Sequence, residues 1–134
     1  MRWLNPVFKF RLYVNESRTG LFVLVNVWPS RSAMRRHARE VVNHHARRYL
    51  MFCTRTRITY ADSGRLSPMF AEVNLQVGYK CVGAVSHELV HATSAYFARV
   101  GLVHTDDTDE VYAHVQGWLL LQYIHHANRV RLYE

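Results

Sequence analysis

The sequence predicts an α+β domain, and two patterns in the chain lead to this fold class. Apolar and polar residues alternate in the segments that begin at Phe8 and Met69, which is the two-residue period of a half-buried β-strand. In the segment Arg31–Leu50, apolar residues recur at helical spacing. The predicted order is strand, strand, helix, strand, strand, helix, helix. We expect a small mixed or antiparallel sheet of about four strands packed on three helices.

Length and composition restrict the class of protein. The 134 residues suffice for one hydrophobic core, so we expect a single domain over residues 1–134. With 49% hydrophobic and 20% charged residues, the composition excludes fibrous and disordered proteins. The longest apolar run, Leu21–Trp28, is much shorter than the roughly 20 residues that span a bilayer, and no secretory signal is visible. Because Cys53 and Cys81 cannot form a disulfide framework, we expect a cytoplasmic chain with reduced thiols and no membrane partner.

The first half of the chain predicts a hairpin, a helix and a third strand. Phe8–Val14 and Leu21–Trp28 form the hairpin, joined by a polar turn, and the second strand is apolar enough to be covered on both faces. Ser30 is a candidate N-cap for a helix over Arg31–Leu50. The segment Met51–Tyr60 returns to residues that favour strands.

The second half predicts one strand followed by two helices. The strand Met69–Val77 has one polar face, which indicates a position near a sheet edge. The first helix runs from about residue 82 or 84 to Arg99, with Gly101 in the left-handed conformation after it. The second helix runs from about Thr108 to Ala127, after a loop rich in aspartate.

The first of these two helices carries the segment His87-Glu88-Leu89-Val90-His91. Histidines four positions apart lie on one face of a helix, so both imidazoles can reach one zinc ion. A glutamate directly after the first histidine can take a proton from a water bound to that zinc, as in metallopeptidases. The alternative interpretation is a pair of core histidines with an exposed glutamate between them.

A catalytic zinc also needs a third protein ligand, and two residues compete for this role. Glu110 lies nineteen positions after His91 on the next helix, and Ala113 and Gly117 would allow the two helices to approach closely. His104 is the rival ligand. We favour Glu110 because a carboxylate partly neutralises the ion, and because two histidines with one glutamate form a known peptidase site.

Other polar residues of this region are candidates for supporting roles. His114 lies one turn after Glu110 and could bond a ligand or the substrate oxyanion. Tyr96, Tyr112 and His104 are further candidate oxyanion donors. One of the three aspartates of the loop could orient a ligating histidine, and these are Asp106, Asp107 and Asp109.

The segments His87–His91 and Glu110–Ala113 resemble the gluzincin branch of the zincin metallopeptidases. The stretch 110–118 is most similar to small predicted metallopeptidases encoded by bacteriophages, and the resemblance covers about residues 84–118. It implies a zincin-like fold, zinc as cofactor, the ligands His87, His91 and Glu110, and Glu88 as general base. It also implies that a peptide substrate lies along Met69–Val77 as an edge strand, and that the protein acts in the cytoplasm of a host cell.

Two positions depart from the pattern of these peptidases. Thr93 stands where such helices usually carry an apolar residue. His114 stands where the best-known members have an aspartate that supports a histidine ligand. Support for the ligands would therefore come from another residue.

Net charge allows functions other than catalysis. The formal charge is +7, and arginines are frequent between Arg31 and Arg48, which is a candidate surface for nucleic acid. The sequence thus predicts a zinc metallopeptidase with Glu88 and His114 as catalytic residues. The alternatives are an inactive zincin-like domain that binds protein, a nucleic-acid-binding protein with structural zinc, and a metal-free fold.

Overall fold

A computed structural model of the chain describes residues 5–41, 51–55, 63–77 and 82–132. Within these ranges it has four strands and three helices, in the predicted order. They are β1 (Phe8–Tyr13), β2 (Phe22–Trp28), α1 (Arg31–Val41), β3 (Phe52–Arg55), β4 (Met69–Gln76), α2 (Val82–Val100) and α3 (Asp109–Arg129). The α+β class is confirmed. The predicted continuations of α1 to Leu50 and of β3 to Tyr60 lie outside the described residues.

The four strands form one mixed sheet with the order β1-β2-β4-β3. The β1–β2 hairpin is antiparallel, as predicted, with Phe10 opposite Val25. Strands β2 and β4 are parallel, and β3 pairs antiparallel with β4. A parallel pair requires a crossover connection, and α1 lies in the segment that joins β2 to β4.

The sheet separates two helical layers. Helices α2 and α3 pack on one face, where the main core contains fully buried side chains such as Val25, Val73, Leu89, Leu119 and Tyr123. Helix α1 packs on the other face in a smaller cluster that Trp28 forms with Ala33, Met34 and Ala38. Ser30 caps this helix through a hydrogen bond from the Ala33 amide (3.1 Å), as predicted.

The prediction that Met69–Val77 lies at a sheet edge is wrong. The strand β4 is internal, because β2 flanks it on one side and β3 on the other. Its alternating polar residues indicate a polar face and not an edge. Glu72 and Asn74 on that face are covered by a hydrogen-bonded network under α1, so their polarity does not require contact with solvent.

The network beneath α1 joins five side chains. His37 of α1 bonds to Glu72, and Asn74 Nδ2 donates to the same carboxylate at 3.0 Å. Asn74 Oδ1 accepts from Asn26 Nδ2 at 3.1 Å and from Trp28 Nε1 at 2.8 Å. Burial raises the pKa of Glu72, but hydrogen bonds, first from His37, outweigh it and leave the pKa below its ordinary value. The carboxylate therefore links α1 to the sheet.

The outer edge of β1 is occupied by side chains of α3. The Gln122 amide accepts from the Tyr13 amide at 2.9 Å and donates to the Tyr13 carbonyl at 2.7 Å, as a neighbouring strand would. His126 stacks on Phe10 and bonds to the backbone of Arg11. These contacts leave little of β1 for a further strand.

No helix in the described ranges is long and apolar enough to cross a lipid bilayer.

We predict that Glu72→Gln makes stability less dependent on pH. Because the pKa of Glu72 is lowered in the folded state, its ionised form stabilises the fold above the ordinary carboxyl pKa, and this contribution is lost as the pH falls. The substitution should lower the free energy of unfolding by about 1–2 kcal/mol at neutral pH and by less near pH 4. Urea unfolding of the chelator-treated proteins at both pH values measures this.

The control is Glu16→Gln, since Glu16 is exposed. It should change stability by less than about 0.5 kcal/mol. An equal loss for Glu72→Gln at both pH values would contradict the role given to the Glu72 charge.

Candidate metal centre

Helix α2 carries the predicted zinc motif and ends as the sequence indicates. Gly101 has a φ of +77°, and the Leu102 amide donates to the Phe97 carbonyl at 2.8 Å. These are the features of a Schellman C-terminus, which only glycine adopts without strain. The helix is buried along Val85, Leu89 and Ala92, so His87 and His91 lie on the opposite, exposed side.

The imidazoles of His87 and His91 converge. Their ring centroids are 4.9 Å apart, and the two Nε2 atoms are 3.2 Å apart. Two nitrogens bound to one tetrahedral zinc at about 2.0–2.1 Å would be separated by roughly 3.3 Å. The spacing of the two nitrogens therefore fits two ligands of a single zinc ion.

Glu88 lies between the histidines and the sheet. Its side chain is half-buried, and its carboxylate accepts a hydrogen bond from the Cys53 amide of β3. Burial raises the pKa of Glu88 above its ordinary value and outweighs the opposing effects of His87 and of the Cys53 amide. The carboxylate is thus anchored beside the imidazoles, next to an edge strand of the sheet.

Helices α2 and α3 are antiparallel, and hydrogen bonds fix how they align. Tyr112 Oη donates to the Val90 carbonyl at 2.6 Å and accepts from Ser94 Oγ at 2.7 Å. One turn further along α3, Gln116 Nε2 donates to Ser86 Oγ at 3.0 Å.

This alignment decides which residues of α3 lie beside the histidines. Because the helices are antiparallel, moving two residues from Tyr112 toward the start of α3 corresponds to moving two residues from Val90 toward the end of α2. Glu110 therefore lies at the level of Ala92, one residue past His91. By the same count, His114 lies at the level of Glu88.

The face of α3 that carries Glu110 and His114 is exposed to solvent. Ala113 is also exposed, and a Cβ added to Gly117 would meet no atom within 4 Å. The expectation that Ala113 and Gly117 form the close helix contact is therefore wrong, because Tyr112 and Gln116, on the neighbouring face, make it.

The structure brings together part of the predicted ligand set. His87 and His91 are adjacent, but within the described ranges no three histidine, cysteine, aspartate or glutamate side chains form a group that could hold a metal ion. Along the helix axis, Glu110 lies about one residue past His91, but its side chain does not form a group with the two imidazoles.

His104 has a different set of contacts. Its Nε2 atom bonds to Asp109 Oδ1 at 2.7 Å, and its ring stacks on Tyr112 with the centroids 4.1 Å apart. It also meets the edge of Phe97, which lies six residues, or about 9 Å, beyond His91 along the helix. Asp109 does bond to a histidine, but that histidine is His104. Asp106, Asp107 and Asp109 are all exposed.

Two of the candidate oxyanion donors, Tyr112 and Tyr96, take part in packing. Tyr112 is buried and committed to α2, and Tyr96 packs against Phe70 with their centroids 5.6 Å apart. The polar residue at position 93 is accommodated because the Thr93 hydroxyl donates to the Leu89 carbonyl at 2.7 Å. Of the candidate oxyanion donors, His114 is the exposed residue at the level of Glu88.

The residues whose hydrogen bonds join α2 to α3 were not among those predicted from the sequence to join them. Ser86 and Ser94 are two turns apart on α2, and Tyr112 and Gln116 are one turn apart on α3. This periodicity of polar residues was the available signal. It is weak, because serine and glutamine are common on exposed helix faces.

We predict that Tyr112→Phe destabilises the protein, because the Ser94 hydroxyl and the Val90 carbonyl lose their partner. The free energy of unfolding should fall by about 1–3 kcal/mol in chemical denaturation. Tyr96→Phe is the matched control, since the ring contacts of Tyr96 with Phe70 and Phe97 do not use its hydroxyl. Equal losses for the two variants would contradict the role given to Tyr112.

Comparison with known proteins yields no relative. No family model matches the chain, and neither a curated protein nor a solved structure is significantly similar to it. The fold and the geometry of the candidate metal centre are therefore the basis of any functional inference.

Proposed function

We propose that this protein is a zinc metallopeptidase of the gluzincin type, which hydrolyses a peptide bond. The observation that carries the proposal is the convergence of His87 Nε2 and His91 Nε2 at 3.2 Å, with the anchored carboxylate of Glu88 beside them. Both side chains are exposed, which argues against the alternative of two core histidines.

Glu110 is the proposed third ligand. It begins the exposed face of α3 at the level of His91, and its side chain has the freedom to turn because it is exposed. A carboxylate there would also offset part of the positive charge of a zinc ion held by two neutral imidazoles. Glu110 is thus the ligand through which α3 would contribute to the centre.

A zinc ion at this centre would supply Lewis acidity, lowering the pKa of bound water to about 7 and polarising a peptide carbonyl. Glu88 is the general base in the proposed reaction. Its carboxylate accepts the proton of the attacking water and delivers it to the leaving amine. The bond from the Cys53 amide orients the carboxylate between β3 and the imidazoles. His114, at the level of Glu88, would donate a hydrogen bond to the oxyanion.

The substrate would lie along β3, because this strand lies beside the candidate general base. Side chains of α3 occupy the edge formed by β1, at Gln122 and His126. The edge formed by β3 lies beside Glu88. An extended peptide can add to such an edge through backbone hydrogen bonds. This position replaces Met69–Val77, which is internal.

A catalytically inactive zincin-like domain that binds a protein partner is the second candidate. It is favoured by one observation, that the described side chains include no complete group of three metal ligands. A domain with only two zinc ligands would bind the ion weakly, and β3 could then serve binding alone.

We predict that the purified chain takes up one zinc ion and that His87→Ala or His91→Ala weakens zinc binding by at least about 100-fold, because each removes a ligand. Glu110→Gln should weaken it by at least about tenfold, while His104→Ala should leave it nearly unchanged. Competition with a chromogenic chelator measures the affinity, and mass spectrometry of the metal content measures the stoichiometry.

His125→Ala is the matched control for loss of a histidine, since His125 is exposed at the far end of α3. A wild-type chain that takes up no zinc would contradict the proposal. A loss of affinity in His104→Ala but not in Glu110→Gln would assign the third ligand to His104.

We predict that Glu88→Gln retains zinc but loses peptidase activity by at least about 100-fold, because an amide cannot accept the proton. Cleavage of a fluorescence-quenched peptide library by the zinc-loaded proteins measures this, with Glu16→Gln as control. Equal cleavage by Glu88→Gln would exclude Glu88 as the base. A zinc-loaded wild type that cleaves no peptide would favour the inactive domain.

A further inference from the structure

The sheet has a cavity on the face away from the candidate metal centre. Its volume is about 510 Å³, and it is lined by Lys9, Arg11, Phe22, Leu24, Ser67, Pro68 and Met69. The main core with α2 and α3 lies on the other face of the sheet, so the cavity is separate from His87 and His91.

The described part of α1 covers one end of the sheet face on which this cavity lies. The cluster under α1 is formed around Trp28, at the end of β2. The cavity lies at the opposite end of β2, beside Phe22 and Leu24, and at the beginning of β4. None of the three helices, over the ranges that the structure describes, packs on the apolar side chains at this end.

Two cations border these apolar side chains. Lys9 and Arg11 are exposed and lie two positions apart on β1, so they point to the same face of the sheet. The Arg11 guanidinium lies over the Phe22 ring, 4.7 Å from its centroid. Among the described residues that line the cavity there is no carboxylate. The ligand should therefore be an anion with an apolar, flat portion.

We propose that this cavity, which we call the Lys9–Arg11 cavity, binds single-stranded nucleic acid. A guanidinium that lies over an aromatic ring can also stack with an unpaired base. Lys9 is placed to neutralise a neighbouring phosphate, and the volume suits about one nucleotide. An acidic peptide would use the two cations but not the flat surface of Arg11, and a duplex would not present an unstacked base.

The site is distinct from the arginine-rich segment that the sequence indicated. Of that segment, Arg31 and Arg36 are exposed on α1, and the part beyond Val41 lies outside the described residues. The proposal depends on neither α1 nor zinc, so its outcome is independent of the proposed peptidase activity.

Fluorescence anisotropy with a fluorescein-labelled oligothymidylate of about 12 nucleotides tests the proposal on the full chain in the presence of EDTA. The double variant Lys9→Gln, Arg11→Gln should bind at least about tenfold more weakly than the wild type. The dependence of log affinity on log salt concentration should lose about 1 to 1.5 units of slope. The single variant Lys9→Glu should show a smaller loss in the same direction, and its exposed position leaves the fold intact.

The matched control removes the same charge from α1 with Arg31→Gln, Arg36→Gln. Retained binding by this control supports the proposal, and an equal loss in both double variants would overturn it in favour of net charge. Binding of a duplex or of polyglutamate as tight as that of the oligothymidylate would also overturn it, as would absence of binding by the wild type. Thermal unfolding of every variant verifies that each is folded.

Discussion

The alignment of the two long helices, α2 and α3, depends on the hydrogen bonds of Tyr112 between them. This side chain binds the Val90 carbonyl and the Ser94 hydroxyl of α2, directly next to His91. Its ring also supports His104, whose bond to Asp109 holds the loop against the start of α3. The level of Glu110 and His114 relative to the imidazoles follows from these contacts. A shift by one helical turn would move both residues about 5.4 Å along α2.

The order of the strands determines what each sheet edge can do. Because a parallel crossover places β4 between β2 and β3, the polar residues of β4 face a helix and not solvent. The outer strands of the described sheet, β1 and β3, then differ in the side-chain groups that bond to their backbones. Gln122 satisfies the backbone of β1 with a side-chain amide, whereas the Cys53 amide of β3 meets the carboxylate of Glu88. Side chains of the helices on the sheet therefore reach both outer strands of the described sheet.

Sequence periodicity predicted the element order, the β1–β2 hairpin, the Ser30 cap and the Gly101 helix end, since each depends on local chemistry. Sequence periodicity did not predict the internal position of β4. The same alternation of polar residues occurs whether water or the side chain of His37 covers the polar face of the strand. Periodicity also failed for the helix contact. Small residues at 113 and 117 suggested close approach, but tertiary packing rotated α3 so that Tyr112 and Gln116 face α2. Pairing of distant residues is not encoded in local periodicity.

Helices α2 and α3 meet near the centre through a few polar contacts, and this bears on the proposed third ligand. His87 and His91 belong to one helix, so their convergence needs no tertiary contact, and four-residue spacing alone accounts for it. A ligand from α3 would instead couple zinc binding to the packing of the two helices. Ion binding would then stabilise the pair by mass action, and loss of the Tyr112 contacts would weaken zinc affinity without touching a ligand. In such an arrangement, the same packing that completes the fold would also complete the metal centre.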